Sequence, residues 1–120
     1  MNLRKYIEVK YETPGFHNWP NAPQDVNFLS SRHRHNFIFK VKIEVSHNDR
    51  DYEFFLVQEK ISRYLNIHYS NGGLGLEFED KSCEMIAEEL FMYLYDNGNA
   101  DIKSVSVSED GENTGIVEHG

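Results

Sequence analysis

Residues 30–45, SSRHRHNFIFKVKIEV, decide the fold. In an extended chain successive side chains point to opposite faces, so His33, His35, Phe37, Phe39, Val41, Ile43 and Val45 share one face. Arg34, Asn36, Ile38, Lys40, Lys42 and Glu44 take the other. Alternation of that length predicts a strand over 33–46 with one face packed on a core and the other mostly in water. The two histidines then stand at the rim of the packed face. Imidazoles at i and i+2 can converge on one metal ion, and neutral imidazole suits zinc.

Upstream, Ile7, Val9 and Tyr11 alternate with Tyr6, Glu8 and Lys10, which predicts a first strand over 3–12. The pattern breaks in TPGFHNWPNAPQDVNFLSSR, residues 13–32, where all three prolines of the chain fall. A structureless stretch of this length inside a compact domain is expected to be an ordered functional loop, given its aromatic residues. Downstream of the long strand, SHNDRD reads as a solvated turn. Val57, Ile61, Tyr64 and Leu65 fall at helical spacing between Tyr52 and Asn66. Asn71, Gly72, Gly73 and Gly75 mark a loop. Cys83, Ile86, Ala87, Leu90, Phe91 and Leu94 then make one stripe of a second helix, with Asp80 and Glu84 suiting its N-terminal end. DNGN stops it. Val105 and Val107 alternate with serines, and EDGENTG supplies a turn before a short last strand around Ile116 and Val117.

A chain of 120 residues is expected to form one domain over 1–120. Twelve Lys plus Arg against 20 Asp plus Glu leave a net charge of -8, which argues against nucleic acid or an anionic membrane surface as partner. A small anionic ligand in a local pocket is still compatible with that balance. Cys83 is the only cysteine, so no internal disulfide can form and a reducing, cytoplasmic setting is expected. The N-terminal MNLRKYIEVK lacks the apolar core of a signal peptide, and no stretch approaches the ~20 apolar residues of a membrane span.

His17 in the long loop, HRHNF at 33–37, SCEMIAEEL at 82–90 and VSVSED at 105–110 come in an order that resembles the 6-pyruvoyl-tetrahydropterin synthase and 6-carboxy-tetrahydropterin synthase family. HRHNF stands where that family has H-G-H-N-aromatic, and SCEMIA where it has a P-T-x-E-N-L-A-like run. The resemblance covers nearly the whole chain. It implies an α+β tunnelling fold, an antiparallel four-stranded sheet with two helices packed on one face in the order ββααββ. It also implies that His17, His33 and His35 are the three ligands of a Zn2+ ion, with an open fourth position of the kind that catalytic zinc keeps. Glu109 shares the face of Val105 and Val107 at the end of its strand. A carboxylate there can accept two parallel N–H bonds from the guanidine-like edge of a pterin-like or purine-like ring, the role the resemblance assigns it. The bland alternative is an acidic residue that merely opens the turn. Phe16, Trp19 and Phe28 of the loop could stack on such a ring or only pack the loop. Relatives assemble as rings, so the resemblance implies a homo-oligomer, a hexamer by analogy, that would cover the strand edges.

The family's proton-transfer groups are not intact. Asn27, Phe28, Leu29 and Ser30 stand where a cysteine is expected shortly before the histidine pair, and none supplies a thiolate. Cys83 lies on the apolar stripe of the second helix and reads as a small core residue. In SRYLNIHYSNGG, His68 follows Ile67 where the family has an Asp-His pair. Three functions follow. The chain acts on a dihydroneopterin-type triphosphate as a zinc-dependent lyase, with a base drawn from His68, Asp51 or Asp80. It captures a pterin or nucleotide without turning it over. Or the zinc only staples the loop to the sheet.

Overall fold

The computed structural model describes residues 1–120. Strand β1 spans Lys5–His17 and β2 His33–Val45, joined through a 3-10 segment at Gln24–Ser30. Helix α1, Phe54–Tyr69, leads to a two-residue strand β3, Leu76–Glu77, and then to helix α2, Cys83–Asp96. Strands β4, Ile102–Glu109, and β5, Asn113–Glu118, close the chain. The sheet order is β3-β1-β2-β4-β5, antiparallel throughout except for β3, which runs parallel to β1 at Gly15 and Phe16.

The expected four antiparallel strands in the order ββααββ are therefore corrected to a mixed five-stranded sheet, with β3 between the two helices. Two residues are too few to show periodicity. The tertiary contact that makes them a strand is the entry of Phe78, fully buried, under β1 and β2.

The larger correction concerns β1, expected to end at residue 12. It runs on to His17 because Pro14 costs the sheet no hydrogen bond. Its partner Asn36 directs its backbone N–H and C=O to Asp110 on the far side, so Pro14 sits at a pair with no ladder bond to lose. Gly15 is needed at the next position, since a Cβ there would lie 2.7 Å from the Phe78 ring and 2.9 Å from that of Phe37.

Val9, Phe37, Phe39, Val41, Ile43, Val105 and Val107 form the covered face of the sheet. Against them pack Val57, Ile61, Tyr64 and Leu65 of α1 and the whole expected stripe of α2 from Cys83 to Leu94. Glu53 caps α1 by accepting the Phe55 N–H, and Ser82 caps α2 by accepting that of Met85. No helix is long and apolar enough to cross a membrane.

Candidate metal centre and ring pocket

The register of β1, β2 and β4 assembles the site. His17 lies directly opposite His33, Gly15 opposite His35, and Phe37 opposite Glu109. The odd-numbered face of β2 thus passes from core to imidazole just where β1 brings a third imidazole and β4 ends on a carboxylate. Ring centroids lie 4.6 Å apart for His17 and His33, 5.0 Å for His33 and His35, and 5.4 Å for His17 and His35. One ligand nitrogen from each lies within 4.8 Å of the others.

Every ring is fixed from behind. His17 Nδ1 is 3.0 Å from the Lys81 carbonyl oxygen, His33 Nδ1 2.8 Å from that of Ser31, and His35 Nδ1 2.7 Å from Asp110 Oδ2. These oxygens only accept, so each Nδ1 carries a proton and donates it. That leaves Nε2 as the nitrogen each ring can offer to a metal. His35 Nε2 is buried and makes no hydrogen bond. An orphaned buried nitrogen beside two more imidazoles fits a divalent cation and fits zinc by its donor set.

Glu109 faces the same centre. Its Oε1 lies 3.2 Å from His17 Nε2, and its Oε2 lies 3.3 Å from His35 Nε2, so the carboxylate stands within ion-pair distance of both rings. Burial alone would lower the His17 pKa, but the Glu109 carboxylate and the Lys81 carbonyl outweigh it and hold the value above 6.5. In turn, His17 first and the charge of His35 second hold the Glu109 carboxyl below its ordinary 4.5, against burial.

Beside the histidines opens a cavity of about 430 Å³, bordered by His17, His33 and Glu109 on one side and by Trp19 and the first residues of α2 on the other. Cys83 is both a core residue, as expected, and part of this wall. Its Sγ donates to Glu109 Oε1 at 3.6 Å, and burial, with the carboxylate beside it, pushes the thiol up to about 12. Asp80 also borders the cavity.

Other expected residues lie elsewhere. Phe28 faces solvent, while its neighbour Leu29 takes the place on the cavity wall. Phe16 carries the Arg32 guanidinium over its ring at 3.7 Å and does not border the cavity. His68 is exposed on the last turn of α1, against Tyr64, and Asp51 lies at the opposite end of β2, accepting the Ser46 N–H. The residue that sequence reading passed over is Asp110. Its only sequence signal was the Asp-Gly turn.

No protein-family model matches the chain, and no curated protein sequence does. Solved structures do share its architecture. The 6-pyruvoyl tetrahydropterin synthase of Caenorhabditis elegans superposes with a TM-score of 0.69 at 15% identity, covering 98% of this chain and 97% of that one. That of Plasmodium falciparum gives 0.68 at 16%, covering 98% and 99%. An uncharacterized protein of Wolinella succinogenes gives 0.75 at 12%, covering 99% and 100%. At such identities the likeness shows the fold: this chain has the fold of the 6-pyruvoyl tetrahydropterin synthases.

Proposed function

We propose that the protein is a zinc-centred receptor for a pterin-like or purine-like ring, held by His17, His33 and His35 through the metal and by Glu109 through the ring's N–H edge. The observation that carries this reading is the orphaned His35 Nε2 among imidazoles whose Nδ1 atoms are all tied back. A bound zinc would supply Lewis acidity toward an oxygen on the ligand's side chain. Glu109, ionised at neutral pH, would accept from the ring, and Trp19 would flank it at the cavity wall.

Capture without conversion is the favoured form of this function. A thiol near 12 is not a thiolate at neutral pH, so Cys83 does not replace the missing base, and His68 does not border the cavity. Turnover of a dihydroneopterin-type triphosphate is the second reading, and Asp80 on the cavity wall is the group that favours it. For assembly, β5 and the first part of β1 are unpaired sheet edges. A homo-oligomer that joins them fits this arrangement.

Native mass spectrometry of protein purified without added metal tests the reading, with dihydroneopterin triphosphate and guanine nucleotides as probes. One zinc per chain and a retained, unaltered ligand are expected, with ligand lost and zinc kept in Glu109→Gln. Conversion of the triphosphate would move the assignment to the second reading. Absence of zinc would overturn the site.

A further inference from the structure

Asp110 occupies the first central position of the β4–β5 turn. Asp110 and Gly111 have φ of 57° and 75°, and Glu112 N–H returns to Glu109 C=O at 3.0 Å, which is a type I′ turn. Asp-Gly is the ordinary sequence for that turn, and the turn would suffice to explain it. Yet the Asp110 carboxylate does not face solvent alone. Oδ1 accepts the Asn36 N–H at 2.7 Å, Oδ2 accepts the His35 Nδ1–H at 2.7 Å, and the Asp110 N–H donates to Asn36 C=O at 2.8 Å. The residue is clamped on three sides, and its free oxygen is spent on one of the three imidazoles.

The other two rings are held by neutral backbone carbonyls, from Lys81 and Ser31. His35 alone is backed by a charge. It is also the ring whose Nε2 is buried without a hydrogen bond. A carboxylate behind an imidazole fixes the tautomer and raises the electron density at the opposite nitrogen, which strengthens that nitrogen as a metal ligand.

We propose that Asp110 is a positioning residue for the metal centre, acting through His35 to fix its ring and make it the strongest of the three donors. The inference rests on the zinc reading above. It gives the turn a second task, and it places a determinant of metal affinity outside the ligand set.

Asp110→Asn separates the two tasks. Asparagine tolerates the left-handed turn conformation, and its oxygen can still accept from Asn36, while the charge behind His35 is lost. Asp110→Gly keeps the turn and removes both bonds. Zinc affinity, measured by competition with a chromophoric chelator, is expected to fall about 10- to 100-fold in Asp110→Asn and at least as far in Asp110→Gly. The metal-free variants should keep the wild-type far-ultraviolet circular dichroism. Long-range 15N NMR of the histidine rings supplies a readout that a merely structural role would not move. The Nδ1 signal of His35 should shift in Asp110→Asn while those of His17 and His33 stay. If wild type binds zinc tightly and Asp110→Asn binds it equally well, this inference fails and the zinc reading stands. Equal shifts of all three rings would mean a distorted turn and would also overturn it. A wild type that takes up no zinc would overturn both.

Discussion

His35 near the start of β2 and His47 two residues past its end each meet an aspartate that accepts a backbone N–H at 2.7 Å. At one end Asp110 reaches His35 at 2.7 Å. At the other Asp51 comes within only 3.7 Å of His47 Nε2, and the imidazole is more than half exposed. The residue types are the same, and so is the local anchoring. What differs is convergence. At the His35 end three strands and the start of α2 close on one point, so two further imidazoles, a carboxylate and a thiol share a partly dry space. At the His47 end the strand runs out into a turn, and nothing comparable joins the pair. A histidine beside an aspartate is a common surface arrangement, and register makes one of these pairs part of a site.

The contrast can be broken most completely at His35. His35→Ala should abolish stoichiometric zinc in native mass spectrometry, whereas His47→Ala should keep it. Phe37, buried beneath His17 and His35 at ring distances of 5.2 and 5.8 Å, supports the converging end from below. Phe37→Ala should cost about 3–5 kcal/mol in urea unfolding of the metal-free protein.

The two ends also part company in pH. His17 has its pKa raised, so its contribution to metal-free stability is fully present below 6.5 and is lost as pH rises through the raised value. Glu109 is held low, so its contribution is present above 4.5 and is lost as pH falls through the lowered value. Asp51, lowered chiefly by the Ser46 N–H, adds only an acid-side loss. Thermal melts in a chelator should therefore peak between these values, and added zinc should stabilise increasingly as pH rises, since metal displaces the protons.

A subtler test is the thiol. Cys83 should react slowly with iodoacetamide at pH 8 in the folded protein and at an ordinary rate in urea. The smallest effect belongs to the open end, where His47→Ala should leave the thermal midpoint unchanged.

The covered face of β2, the buried stripe of α2 and the histidine pair were legible because period-two and helical spacing are written in consecutive residues. The bounds of β1 were not. Proline and glycine at 14 and 15 announce a break, and only the partner strand reveals that Asn36 asks nothing of Pro14. Likewise β3 owes its existence to Phe78 beneath its neighbours rather than to its own two residues. Within the candidate site, Glu109 stands out through the family resemblance and its face on the strand, whereas Asp110 carries only turn chemistry, since nothing local reveals that a hairpin tip will meet a histidine 75 residues earlier. The stacking residues fared unevenly because a segment without periodicity gives no face. Trp19, still about half exposed, borders the cavity, whereas Phe28 faces solvent.

The type I′ turn also ties the centre to the register in which the last hairpin pairs with β2. A slip of one residue between β2 and β4 would send Glu109 to the opposite face of the sheet and carry Asp110 away from His35, while leaving most backbone bonds replaceable. The site can then be complete in only one of the near-equivalent pairings. Metal would bind that pairing alone and draw the population toward it, so the zinc content of a refolded sample would count the molecules whose last strands had found their proper alignment.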